Sequence, residues 1–250
     1  PFDVTNSTAI IRSSNPWRPT AGVRENALFV EDLENNSLTY EKKKELNLGL
    51  EAGFLDDRIS LELDWYTRDN FDLIGPVTTQ GVGGQVEKLG NVAALESNGL
   101  ELSLSTVNIK NDNFSWTTDF IYSKVENTVT RLENDSRVID LIQGSGFARE
   151  GYPVRGIFSI PFVRLNDQGL PVFINESGNE TVSDINLQER DNLDFLKYSG
   201  SIDPTDIGSL GNTFTYKGFS LNVFATYSFG NVVRLDPVFS STYSDLTSFT

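Results

Sequence analysis

Acid–base and nucleophilic chemistry would need groups this chain lacks. Its 250 residues contain no His and no Cys. That removes imidazole and thiolate metal ligands, the serine–histidine triad and disulfides. Carboxylates remain: 35 Asp and Glu stand against 20 Lys and Arg, for a net charge of -15. Asp56-Asp57 offers paired carboxyls for acid–base work, but the pair sits between two alternating apolar runs, where Asp is turn chemistry. Asn166-Asp167-Gln168-Gly169 has a trace of a calcium loop without its regular acidic spacing or closing Glu, and reads as a β-turn. Glu176, Glu180, Asp184 and Glu189 could gather a divalent cation; a solvated acidic loop is the simpler reading. The glycine-rich run Gly81, Gly83, Gly84 and Gly90 lacks the Gly-Lys-Ser/Thr ending of a phosphate loop. A β-rich hydrolase would need two carboxyls about 6.5–9.5 Å apart for inversion, and no spacing here sets such a pair. The sequence therefore gives no catalytic residue, no cofactor site and no metal ligand, and reads as a non-enzyme. The binding candidates are aromatic: Trp17, Phe147, Tyr152 and Phe158 can stack on sugar rings, or pack against neighbouring loops or a partner protein.

The elements that would hold these residues are strands. Leu46, Leu48, Leu50, Ala52 and Phe54 alternate with Asn47, Gly49, Glu51 and Gly53. After Leu55-Asp56-Asp57-Arg58 the pattern resumes as Ile59, Leu61, Leu63 and Trp65. A period of two predicts a hairpin with one apolar and one polar face, its second strand ending near Leu73. A second hairpin follows: Leu100, Leu102 and Leu104, a turn at Lys110–Asn113, then Phe114, Trp116, Thr118, Phe120 and Tyr122. A third covers 208–230 around Lys217-Gly218, with Phe219, Leu221, Val223, Ala225, Tyr227 and Phe229 on one face. Residues 1–37 read as a long loop with a short strand at Ala27–Val30, residues 75–97 as a flexible glycine-rich loop, and 127–206 as long, acidic and irregular. Within the last, Gly156–Ile174 predicts one or two strands about the turn at Asn166–Gly169.

The acidic balance argues against nucleic acid, whose phosphates need a basic surface. No apolar run reaches the ~18 residues of a transmembrane helix, which does not bear on β-barrels. The chain opens at Pro1 without Met and reads as a piece of a longer one. Alternating strands fit both a soluble β-sandwich and an outer-membrane barrel. The asymmetry of connections, tight at one end and long at the other, favours the barrel. So do the aromatics near strand ends: Phe54, Trp65, Phe114, Tyr122, Tyr216, Phe219 and Phe229. The fold expected is all-β, an antiparallel up-and-down transmembrane barrel segment. Its apolar residues would face lipid, and Glu51, Glu62, Asp64, Glu101 and Asp119 a wet lumen.

Several blocks also resemble a known family. Leu38-Thr39-Tyr40-Glu41, Leu46-Asn47-Leu48-Gly49-Leu50-Glu51, Arg58-Ile59-Ser60 and Asp64-Trp65-Tyr66 are similar to late barrel strands of SusC/RagA-type TonB-dependent transporters. So are Gly90-Asn91-Val92, Glu96–Ser103, Gly151-Tyr152-Pro153 and Asn212–Leu221. The blocks run in the family's order over roughly 38–231. The resemblance implies a 22-stranded outer-membrane barrel with an N-terminal plug. It also implies import of glycans, peptides or similar large nutrients, power drawn through TonB, and a SusD-like surface lipoprotein as lid. Residues 1–250 would then be part of one barrel domain. The seven or eight strands expected are too few to close it, which makes the chain look like a fragment or split subunit. Acidic loops weigh against strongly anionic cargo.

Overall fold

The computed structural model describes residues 9–14, 27–32, 34–81, 86–133, 136–144 and 147–235. Six strands form the main sheet: β3 (Lys42–Phe54), β4 (Ile59–Thr78), β5 (Glu87–Lys110), β6 (Phe114–Leu132), β12 (Asp206–Tyr216) and β13 (Phe219–Phe229). Their order is β13-β12-β6-β5-β4-β3 and every pairing is antiparallel. Each strand thus lies beside its neighbours in the chain, and the one long excursion, between β6 and β12, returns to the adjacent position. Among the described residues β3 and β13 are paired on one side only, so the sheet is an open section of wall.

The hairpin turns follow from local chemistry. Asn111 Oδ1 accepts the backbone N–H groups of Asn113 and Phe114, closing the β5–β6 turn. Lys217 and Gly218 have φ of 46° and 88°, the left-handed pair of a two-residue hairpin. The turns are staggered. Phe54 and Ile59, the last pair of the β3–β4 hairpin, lie in register with Thr106, Thr118, Asn212 and Val223. The last pair of the β12–β13 hairpin, Tyr216 and Phe219, is four residues further down. Four residues over four strand steps average one residue per strand; the β5–β6 turn is already as low as the β12–β13 turn, Phe114 being in register with Tyr216. At ~3.3 Å per residue and ~4.8 Å between strands this tilts the strands by roughly 35°, the inclination of a closed barrel.

The expected loop at 75–97 is mostly strand. β4 continues to Thr78, β5 begins at Glu87, and Gly75 pairs with Gly90 inside the ladder. The alternation fails there because the register shifts twice between Asn70 and Ile74, with Asp72 in the left-handed region at φ 57°. A bulge moves the following residues to the other face and hides the period of two. The two glycines make room: Val92 reaches over Gly75, and Val77 over Gly90.

The region read as irregular is a small folded module between β6 and β12. It holds α1 (Val138–Ile142), β7 (Gly156–Ser159), β8 (Phe162–Leu165), β9 (Pro171–Ile174), β10 (Glu180–Thr181) and β11 (Lys197–Ser201). β11 pairs with β7, and β10-β9-β8 form a second small sheet. Val138, Leu141, Phe158 and Leu196 are its buried centre. Residues 1–37, read as a loop with one strand, carry a hairpin of β1 (Ile10–Ser14) and β2 (Ala27–Asp32). The described chain thus has thirteen strands rather than seven or eight, with six in the wall.

Candidate functional site

The main sheet has two unlike faces, and among the described residues no second sheet or helix packs on either. One face carries Leu46, Leu48, Leu50 and Phe54 on β3, then Ile59, Leu61, Leu63 and Trp65 on β4. It continues through Leu100, Leu102 and Leu104, Phe120, Leu210, and Leu221 and Val223. Many of these are exposed: Leu48 at 59% and Phe219 at 81%. At the short-turn end the face closes on an aromatic row, Phe114–Tyr216–Phe219. Ten residues up β13, Phe229 lies in register with Asp206 and Lys124, and on these strands charge begins. Ten residues span roughly 34 Å along a strand. At the tilt above that is a height of about 28 Å, close to the ~25 Å apolar band of outer-membrane barrels. Polar groups within the band satisfy one another. Trp116 Nε1 and Thr118 Oγ1 both donate to Asn212 Oδ1, at 2.9 and 2.8 Å, and Asn108 Nδ2 donates to Thr118 Oγ1 at 2.6 Å. Trp116 stacks on Phe214.

The opposite face is acidic. Glu51 stands directly across from Glu62, and Asp64 from Glu101. Like charges in cross-strand register repel unless water screens them, so this face is wet. An open cleft of about 440 Å³ runs along it past Glu51, Gly53, Asp57, Ser60, Glu62 and Ser103. Further up, the Tyr66 ring covers Gly99, the Arg68 guanidinium lies 4.9 Å from that ring, and Arg68 pairs with Glu45 at 3.1 Å.

At the long-loop end, two sequence blocks 52 residues apart meet. Asn91 Oδ1 accepts the Thr39 N–H at 2.7 Å while its Nδ2 donates to the Thr39 carbonyl at 2.8 Å and the Asp72 carbonyl at 2.6 Å. The amide acts as a strand partner for residue 39. Lys42 pairs with Asp72 at 2.8 Å, the Ile74 N–H donates to Glu41, and Leu38 and Val92 are buried. The segment before β3 is thereby tied to the β4 bulge. Nothing in local periodicity pointed to Asn91 or Asp72; Asn91 stood only within the family block Gly90-Asn91-Val92, and Asp72 in none.

The aromatic candidates fare differently. Trp17 lies outside the described residues. Phe147 is 40% exposed and bridges to Gly156 through its backbone. Tyr152 is half-buried, its ring edge-on to Phe158 and 4.9 Å from Tyr198. Phe158 is a correction: at 0% exposure it is the centre of the module's core, with no face left for a ligand. The acidic candidates are engaged locally. Glu180 pairs with Arg164 at 2.8 Å, Glu176 accepts the Asn186 N–H, and Glu189 accepts the N–H groups of Arg190, Asp191 and Asn192. Asn166 Oδ1 accepts from Gln168 and Leu170, the turn expected. No group of three acidic side chains among the described residues is placed to hold a metal ion.

Three carboxylates give the module a pH response. Hydrogen bonds from Arg137 hold Asp140 below the ordinary 3.8, and those from Arg155 do the same for Asp203. Backbone N–H groups, that of Asn192 foremost, hold Glu189 below 4.5. A carboxyl depressed by folding adds stability above its unfolded value, and that stability drains away as pH falls through the folded value. Proteolytic or hydrogen-exchange protection of residues 136–205 should be level above about pH 5 and decline toward about pH 3. Protection unchanged across that window would mean these contacts do not hold the module.

No family model matches the chain. Among curated proteins it is 27% identical over 231 residues to TonB-dependent receptor P3 of Formosa agariphila, covering 83% of this chain and 22% of that protein. It is 25% identical over 217 residues to TonB-dependent receptor SusC of Bacteroides thetaiotaomicron, covering 81% and 21%. Among solved structures, the RagAB peptide importer in its "closed-closed" state superposes with a TM-score of 0.68 at 22% identity, over 90% of this chain and 25% of that one. The chain thus spans about a fifth of the length of these curated relatives. The sheet has the fold of a section of the RagAB importer's barrel wall, and the chain is similar in sequence to TonB-dependent receptors. Among these it is similar to SusC in sequence and to the RagAB importer in fold, the resemblance its sequence blocks carried.

Proposed function

We propose that this chain is part of the barrel of an outer-membrane TonB-dependent transporter that imports glycans, peptides or similar large nutrients. All of residues 1–250 would belong to that one barrel domain. The observation that carries this is the two-faced wall: an uncovered apolar face about one bilayer core high, backed by an acidic, wet face. A soluble sandwich would cover the apolar face with a second sheet, and none lies on it among the described residues. Import breaks no covalent bond, so the want of an acid–base or nucleophilic constellation fits.

The acidic wall suits neutral or cationic cargo better than strongly anionic cargo. Trp17 and Phe147 remain candidates for stacking on it. Energy would come through TonB, by parts outside this chain. A SusD-like lipoprotein lid would sit over the module between β6 and β12. β8 suits that contact: it is an edge strand, and Phe162, Val163 and Leu165 are all exposed. Exposed apolar edges are uncommon unless something covers them.

A gel of outer membrane from the source cells, boiled and unboiled, tests the reading. A membrane band that migrates faster unboiled is expected. Recovery only in the soluble fraction, at a mobility indifferent to boiling, would return the chain to a secreted or surface β-sandwich that binds glycan or protein.

A further inference from the structure

The β12–β13 turn has an unusual occupant. Lys217 sits at φ 46°, where Gly and Asn are at ease and a longer side chain is strained. Its ammonium lies 5.3 Å over the Tyr216 ring. Tyr216 belongs to the outward aromatic row with Phe114 and Phe219, so the charge is held on the outward side, level with the end of the apolar band. Among the described residues no carboxylate pairs with Lys217. At the other rim, by contrast, Lys42 pairs with Asp72 and Lys124 with Glu126. Lys110, at the same end as Lys217, stands opposite Ser115 on the inward face.

We infer that Lys217, with Tyr216, Phe219 and Phe114, binds the phosphodiester headgroup of an anionic phospholipid in the leaflet nearest the short turns. The site offers a cation at the edge of an exposed apolar row. A phospholipid supplies the complement to both parts, an anion joined to a hydrocarbon tail. Free phosphate would use only the cation. The lysine stem lies along apolar surface while its head meets the phosphate, and Phe219 and Leu221 are open to the acyl chain. A residue kept in a strained conformation, with its charge pinned outward and unpaired, fits a role in contact rather than in turn formation.

This inference rests on the membrane-barrel reading, and the experiment separates the two. The protein is purified in its native assembly, and phosphatidylglycerol retained in native mass spectra is compared with retention of phosphatidylcholine. Lys217→Gln should retain about fivefold less phosphatidylglycerol, the weight of one basic residue at a membrane surface. Lys217→Arg should retain it. Lys217→Asn should lose lipid equally while the barrel stays at least as heat-resistant, because Asn accepts the left-handed backbone. Lys110→Gln should change nothing. Full retention by Lys217→Gln in an intact heat-modifiable barrel overturns the site and leaves the barrel reading standing. Equal loss in Lys110→Gln also overturns it, as does binding of inorganic phosphate without preference for the lipid. A chain found only in the soluble fraction overturns both.

Discussion

Leu48→Arg should destabilise the assembled barrel by about 2–4 kcal/mol, and Leu221→Arg by about 1 kcal/mol or less. Both leucines are exposed on the apolar face. They differ in depth. Leu48 is six residues above Phe54, the end of its hairpin, while Leu221 is two residues from Phe219 and its turn. Over an apolar band of about ten residues, Leu48 is near the middle and Leu221 near the edge. An arginine at mid-depth must draw headgroups or water into hydrocarbon; one at the edge reaches water with its own stem. Asn47→Arg, next door on the inward face, should be near neutral, because that face is already wet. Urea unfolding in lipid vesicles gives all three values. In a soluble sheet, arginine at a residue already exposed would fall within about 0.5 kcal/mol. Three equal, small effects would therefore remove the membrane from the account.

What the sequence made legible was whatever depends on neighbours two residues apart. β3 alternates from Leu46 to Phe54 and β13 is interrupted only by Phe224 on its polar face, and their turns carry Asp or Gly where a tight reversal needs them. The β4–β5 extensions were hidden because bulges invert the parity at Asn70–Ile74, and a shifted alternation looks like none. The module was hidden for another reason. Val138, Leu141, Phe158 and Leu196 are spread over almost sixty residues and are buried together only by tertiary contact. Phe158, in an apolar piece of a long acidic region, looks like a ligand platform, yet the same aromatic is what such a region needs to fold at all. Asn91 shows the converse. As a lone Asn it has no signature, and its role exists only because Thr39 and Asp72 arrive beside it. The acids of the inward face were legible as a set from the alternation. Their direct opposition, Glu51 to Glu62 and Asp64 to Glu101, needed the register.

The register also sets the second large effect, at Gly99. Tyr66 and Gly99 are direct cross-strand partners on the inward face, and both are buried. The ring lies on the glycine so closely that a Cβ there would overlap it. A strand-interior glycine normally weakens a sheet, and an aromatic laid across it restores the lost packing. The same device recurs on the outward face, where Tyr227 covers its partner Gly208. Gly99→Val should therefore cost about 1–3 kcal/mol through overpacking, although valine is the better strand former. Displacing the ring would also free Arg68, which rests on it and pairs with Glu45. In a Tyr66→Ala background the obstruction is gone, and Gly99→Val should be neutral or stabilising. The cycle should thus show a coupling energy of about 1–3 kcal/mol, well beyond additive error. Urea midpoints of the four proteins in one lipid give the answer. If Gly99→Val costs as much without the tyrosine as with it, the ring does not cover the glycine, and Arg68 owes its place on the lumenal wall to Glu45 alone.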